Sequence, residues 1–380
     1  MNFEPTDEQE AWREEVREFV DEEVAPEGDR IDKEDEFPHD VAEKIADKGY
    51  FGVPYGEEYG GPGMDYHCYA YTIEEIARAS GGLGTVVAAH GLPINVIDRF
   101  GTEEQKDEWM PPLVKGEKIG AFCLSERGAG SDVSKMTTTA EKDGDEYVID
   151  GEKMWTSNGA VAGTAIIFAK TDPDAGGRGI SAFVADIEDN DSFEIMKVFD
   201  KLGDHGNPVS EVNIDGLRVP EENMIGEEGA GLKQALISLN SGRVSIAARS
   251  VGIAQAALDA SIDYVQEREQ FGGPLSGMQA IQHKIADMDV KTENARLITH
   301  KAADIKERGN GNLILASSRA KLYASEVSRE VTNEAVQLHG GYGYIDEKPI
   351  ERYYRDARIN EIYEGTSEIQ RNTIAEQVLQ

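Results

Sequence analysis

Apolar positions along the chain change their spacing twice. From residue 1 to about 118 they recur every three or four places, the period of a helix with one buried face. Trp12, Val16, Phe19 and Val20 share such a face, and Thr6 with Gln9 ahead of them has the spacing of a capping box. Pro26 is expected to end that segment. A helix over about 38–48 is expected to close at Gly49. Two more should flank the GGLG of 81–84. Thr102 with Gln105 opens another that carries Trp109 and that Pro111-Pro112 should stop early or bend.

From about 119 to 222 the pattern becomes short runs rich in β-branched and aromatic residues: IGAFCLS, TTTAEK, EYVID, TAIIFAK, ISAFVADI and VSEVNID. Turn signals separate them, among them DGDE, Asp150-Gly151, DPDAGGRG and Asp215-Gly216. This spacing predicts an antiparallel barrel or sandwich. From about 223 the helical period returns, with bundle-length stretches over 229–266, 277–308 and 312–338, the last stopped by Gly340-Gly341. A short helix is expected around 349–358 and a final one near Ser367, which with Gln370 has capping-box spacing. The chain thus divides into helices (1–118), a small β domain (119–222) and a helical bundle (223–380). No βαβ alternation and no GxGxxG after a strand occur, which disfavours a Rossmann domain. P-loop, HExxH and GxSxG patterns are also absent.

Composition narrows the possibilities. Of 380 residues, 73 are acidic and 38 basic, a formal net charge of −35. Nucleic-acid binding and attraction to anionic membranes both need the opposite sign. The acids are spread along the whole chain, which points to a salt-loaded cytoplasm and a halophilic source. Two distant cysteines, Cys68 and Cys123, make a disulfide framework or a zinc site unexpected and fit a reducing cytoplasm. The N-terminus lacks a basic region followed by an apolar run, so no signal peptide is expected. No apolar stretch approaches the roughly 20 residues of a membrane span.

Within this frame YEGTSEIQ (363–370) is unusual: it sets Glu364 against a glycine at a helix start. Alone, such an acid reads as a surface charge favoured by the helix dipole. Four segments change that reading: AFCLSERGAGSD (121–132), KMWTSNG (153–159), QLHGGYGY (337–344) with ERYYRDAR after it, and IYEGTSEIQR (362–371). Each alone has a bland explanation as a turn or a packed strand. In this order and at these separations they resemble the acyl-CoA dehydrogenases, and the resemblance covers nearly the whole chain, including domain order.

The resemblance implies FAD as cofactor, an acyl-CoA substrate and a trans-2-enoyl-CoA product. It makes Glu364 the base for the α-proton. Its backbone N–H and a flavin ribityl hydroxyl would polarise the thioester. Gly365 would let backbone pass close to ligand, and Thr366, Ser367 and Glu368 would turn a helix start toward cofactor oxygens. Phe122, Leu124 and Ser125 would line the isoalloxazine, and Ser131 would lie near cofactor and thioester. Trp155, Thr156 and Ser157 would sit beside the ring, with Ser157 approaching the hydride-accepting nitrogen. Arg268, Phe271, Gln279 and the segment Gln337, Leu338, His339, Gly340 and Gly341 would meet the cofactor's pyrophosphate and distal half across a subunit boundary, in a homo-oligomer expected to be a tetramer. His339 itself is read as structural. Asn240 and Arg243 would face CoA. Some relatives carry the base immediately before that arginine; Gly242 stands there and cannot supply one. Arg127 replaces the family's usual proline, and Asn240 an aspartate found in several relatives. Electrons would pass to an electron-transfer flavoprotein. An acyl-CoA oxidase of the same fold and a non-catalytic scaffold are the rival readings; the short segment after Glu364 favours the dehydrogenase over the oxidase.

Overall fold

The computed structural model describes residues 4–379. It opens with α1 (Asp7–Phe19), whose N-terminus carries both capping-box bonds, Gln9 N to Thr6 Oγ1 at 3.2 Å and Thr6 N to Gln9 Oε1 at 2.9 Å. Val16, Phe19 and Val20 are buried, and Trp12 packs edge-on against Tyr50 while donating to Thr72 Oγ1. Pro26 does not end the segment. A π-turn and a 3-10 turn carry the chain through it into α2 (Gly28–Glu34), because Pro26 falls in the first turn of the 3-10 piece, where no N–H is needed. Next come α3 (His39–Asp47), α4 (Tyr66–Ala79), α5 (Gly81–Phe100) and α6 (Glu103–Val114).

Two expectations for these helices are corrected. GGLG does not separate helices; it forms the first turn of α5, capped by Ser80 Oγ accepting from Leu83 N. A Cβ on Gly82 would collide with the His205 carbonyl, so close packing outweighs poor helix propensity there. Nor do Pro111 and Pro112 stop α6, which runs on to Val114. The carbonyls that lose partners to these prolines belong to Asp107 and Glu108, both exposed and open to water.

The middle of the chain is one seven-stranded sheet: β1 (Ile119–Cys123), β2 (Thr139–Asp143), β3 (Glu146–Ser157), β4 (Ala162–Lys170), β5 (Ile180–Asp186), β6 (Phe193–Val198) and β7 (Val209–Pro220). Its order is β1-β4-β2-β3-β7-β6, with β5 also on β4. Most pairs are antiparallel, as the short hairpin spacing predicts, but β1 and β2 pair parallel to β4. β4 is buried along nearly all its length because both faces are covered. Ile167, Phe183 and Val212 pack on one side, while Ile166, Phe168 and Ile180 meet Trp109, Met110 and Leu113 of α6 on the other.

The last part is a bundle of α7 (Gly231–Glu267), α8 (Gln279–Arg308) and α9 (Leu313–His339), with α10 (Ile350–Arg358) and α11 (Ser367–Leu379) laid against it. Between α7 and α8 a two-stranded hairpin pairs β8 (Glu269–Gln270) with β9 (Gly273–Pro274). Fully buried Arg249 of α7 ties the parts together. It donates to the Gly81 carbonyl at 2.9 Å, to Asp204 Oδ1 at 2.6 Å and to Asn360 Oδ1. Among the described residues no helix is long and apolar enough to cross a membrane.

Candidate active site

The loop from α10 to α11 turns sharply at Glu364 and Gly365, with φ of 50° and 92°. A side-chain-bearing residue at positive φ costs of order 1 kcal/mol or more and needs support from its surroundings. Three hydrogen bonds supply it. Gln370 Nε2 donates to the Glu364 carbonyl at 3.1 Å and to the Gly365 carbonyl at 3.0 Å, and Lys321 Nζ of α9 donates to the Gly365 carbonyl at 2.7 Å. The expected Ser367–Gln370 capping box is absent. Thr366 is the N-cap, its Oγ1 accepting from Ile369 N at 3.3 Å, and the Gln370 side chain is spent on the turn instead.

The Glu364 side chain points at α7. Part of the residue stays open, but Oε2 is shielded from water and has no hydrogen-bond partner. Burial raises its carboxyl to about 7, against the pull of Lys321 and then Arg243. A Cβ on Gly242 would collide with Oε2, so glycine is what admits the carboxylate. Arg243 is buried beside it, with one N–H bond to Asn240 Oδ1 at 2.9 Å and its Nε unpartnered. Among the described residues no acceptor takes the Glu364 backbone N–H.

Beyond Gly242 lies a narrow crevice of only about 10 Å³ between α4, α5, α7 and the loop at Tyr55. Tyr66, Tyr69, Leu92 and Asn95 are among its walls. The Tyr66 hydroxyl reaches the Ser241 carbonyl at 3.4 Å. Burial holds the Tyr66 and Tyr69 phenols well above their ordinary range, so both stay neutral beside Glu364.

On the sheet side, Phe122 of β1 lies against Phe168, with ring centroids 4.9 Å apart, and Leu124 is buried. The Ser125 carbonyl accepts from Met154 N at 2.9 Å, joining two expected segments, whereas Ser131 is exposed further along its loop. Trp155, at φ 60° and 59% exposed, presents its indole beside Phe199. Thr156 is buried with Oγ1 unpartnered, and half-buried Ser157 ends β3. Glu126 anchors the flavin-loop candidates. Its carboxylate accepts from Thr137, Thr138 and buried Lys153, whose Nζ lies 3.0 Å away, and these donors hold it at about 2 despite burial. Arg127, at the usual proline position, pairs with Glu211 on β7.

Another group lies elsewhere. Arg268 caps the far end of α7 with its guanidinium over the Tyr342 ring, Phe271 is 96% exposed at the hairpin tip, and Gln279 opens α8. Gln337, Gly340 and Gly341 are exposed close by, Leu338 is buried, and His339 is buried, bonded to the Ala335 carbonyl and stacked on Tyr264. Arg243 and Arg268 are separated by 25 helical positions, about 37 Å along α7. The predicted residues therefore form two groups. Glu364, Gly365, Thr366, Ser367, exposed Glu368, Asn240 and Arg243 gather near the Glu364 turn. Arg268, Phe271, Gln279 and 337–341 gather at a distant surface.

Sequence reasoning missed Lys321, Gln370, the tyrosines of the crevice and the Glu126–Lys153 pair. A signal for Lys321 exists: it falls on the stripe of α9 that also carries Ser317, Ala320 and Ala324, all buried. The crevice residues come from a loop and three helices and leave no local pattern.

A flavin fits this arrangement: Thr156 Oγ1 and Ser367 Oγ are buried without partners, and the Trp155 indole is uncovered. Models of the N-terminal, middle and C-terminal domains of acyl-CoA dehydrogenase match residues 6–117, 121–217 and 229–379. The chain is 44% identical over 376 residues to a short-chain-specific acyl-CoA dehydrogenase of Clostridium acetobutylicum, covering 99% of each. Butyryl-CoA dehydrogenase of Megasphaera elsdenii is 38% identical with a TM-score of 0.97, covering 100% of both chains. A chain solved as the electron transferring flavoprotein of Acidaminococcus fermentans is 39% identical with a TM-score of 0.98 over the same coverage. Domain for domain and along its full length, this chain belongs to the FAD-dependent acyl-CoA dehydrogenase family.

Proposed function

We propose that Glu364 is the base that takes the α-proton from a short acyl-CoA thioester, giving a trans-2-enoyl-CoA. The observation that carries this is Glu364 Oε2, desolvated, without a donor, and admitted by Gly242 to the wall of the crevice. A carboxylate stripped of hydrogen bonds is more basic than one in water, and a base works best when its pKa lies near the operating pH. An α C–H is a weak acid, so the thioester carbonyl must be polarised as the proton leaves. The unpartnered Glu364 N–H can donate to that oxygen, and a donor of this kind contributes about 3 kcal/mol to lowering a barrier. Arg243, with its free Nε, and Asn240 suit the CoA side.

When bound, FAD supplies the acceptor for the β-hydrogen. Phe122, Leu124, Ser125, Trp155, Thr156, Ser157, Ser367 and the start of α11 would hold it near the base. Arg268 lies about 37 Å along α7 from Arg243, with Phe271, Gln279 and 337–341 gathered at its end, which supports completion of each site by a second copy and a tetramer built from such pairs. The short-chain relatives support a substrate of about butyryl length. The Acidaminococcus neighbour supports an electron-transfer flavoprotein as acceptor. The acidic surface supports a salt-adapted source, and two buried free cysteines suit a cytoplasmic setting.

Anaerobic titration of the yellow holoprotein with straight and branched acyl-CoA thioesters tests this reading. Bleaching should be fastest with butyryl-CoA and slow with palmitoyl-CoA. Fastest bleaching by a long chain would overturn the chain-length assignment. Colourless protein that no thioester alters would favour the scaffold.

A further inference from the structure

Lys321 is an uncommon lysine. It is fully buried on α9, and its one hydrogen-bond partner among the described residues is the Gly365 carbonyl, 2.7 Å from Nζ. An ammonium has three donors, and burying one without pairing costs several kcal/mol. Among the described residues no carboxylate comes within ion-pair distance of Nζ, whereas the other fully buried cations, Lys153 and Arg249, sit 3.0 Å and 2.6 Å from Glu126 and Asp204. The charges that act on Lys321 are Glu364 first, then Arg243, Glu361 and Glu368. Those acting on Glu364 are Lys321 from α9 and Arg243 from α7, while Tyr66 and Tyr69 of α4 face it as neutral phenols.

We propose that Lys321 is a positioning residue for the base: its ammonium pins the left-handed Glu364–Gly365 turn through the Gly365 carbonyl and supplies the positive charge against which the buried carboxylate ionises. The inference rests on the reading of Glu364 as base. Geometry separates Lys321 from Arg243. Arg243 follows Gly242 on α7, whereas Lys321 grips the backbone of the turn from α9. Losing Arg243 removes a charge and its bond to Asn240 but leaves the turn held; losing Lys321 removes a charge and frees the turn. The titrations agree with this arrangement. Burial drives Lys321 down to about 8 while Glu364 draws it back up, and Lys321 is the first influence opposing the rise of Glu364. Each group thus favours the charged form of the other.

The test compares Lys321→Gln and Lys321→Arg with the parent holoenzyme. In Lys321→Gln the acid limb of the kcat/KM profile should move up by about one pH unit, the low end of a close opposite charge. Its kcat should fall about tenfold or more while KM and flavin content stay near the parent's. Lys321→Arg should restore the limb but not all of kcat, because a guanidinium cannot reproduce the single close bond to Gly365. A limb unmoved in Lys321→Gln, or a loss of rate wholly explained by loss of flavin, overturns the proposal. Should Lys321→Gln not fold, Glu364→Gln decides. Followed by 13C-labelled lysine, the Lys321 midpoint should drop when the Glu364 charge is removed; an unchanged midpoint overturns the proposal. Turnover by Glu364→Gln would instead overturn the base reading, so the two failures are distinct.

Discussion

At the scale of single residues, the site depends on what Glu364 is denied. Its Oε2 has no donor and is shielded from solvent, so the carboxylate destabilises the fold in its charged form. The folded carboxyl, at about 7, binds its proton more tightly than an unfolded glutamate at about 4.3. Stability should therefore fall as pH rises between these values, and the penalty should be complete above the upper one. Glu364→Gln should raise the melting temperature at pH 8 and change it little near pH 4; calorimetry at both values checks this. Gly242→Ala should push Oε2 aside and lower kcat at least tenfold with flavin content unchanged, measured by steady-state rate and visible absorbance. Glu364 and Gly242 are legible in the sequence because both fall in motifs. Lys321 was passed over because lysines normally reach solvent, although it shares the small-residue stripe of Ser317, Ala320 and Ala324 on α9. Ser367 was misread as a cap because sequence spacing cannot show that Gln370 would serve the Glu364 and Gly365 carbonyls instead.

At the scale of elements, Glu364 is carried by a turn between two helices and the sheet segments by a clamp. Lys153→Met should leave Glu126 buried without its cation and cost about 3 kcal/mol, read from denaturant unfolding. The same change should loosen flavin, since Glu126 fastens the 121–132 segment to Thr137 and Thr138 just before β2 and to Lys153 on β3. Thr366→Ala should cost about 1 kcal/mol as a lost N-cap. Long helices were legible because 27 to 37 residues of one period outweigh any local breaker. The errors lie where tertiary packing overrides local preference: GGLG inside α5, and two prolines inside α6. β6 was missed because its residues are mostly exposed and show no clean alternation. The parallel pairing of β1 with β4 was hidden because its connection runs through two other strands, which no local pattern records.

At the scale of the whole molecule, charge and distance govern. A net charge of −35 makes the compact state repel itself, so melting temperature should rise steeply between dilute and multimolar salt. Equal values would remove the salt-adapted reading. One contact between distant parts adds a pH dependence of its own. The Asp32 side chain raises His205 to about 9, joining α2 to the loop before β7, and Arg355 of α10 holds the same aspartate. Because the folded value lies above the unfolded one near 6.5, this stabilisation is full below about 6.5 and is lost as pH rises through about 9. His205→Gln should therefore melt below the parent at pH 6 and no longer differ at pH 10. The central claim is chemical, that the Glu364 carboxylate takes the α-proton. Anaerobic mixing of butyryl-CoA with parent and Glu364→Gln holoproteins, followed by flavin absorbance, tests it most directly. The account predicts rapid bleaching of the parent and, in the variant, tight thioester binding with reduction slowed by several orders of magnitude. A variant that bleaches at the parent's rate would contradict it.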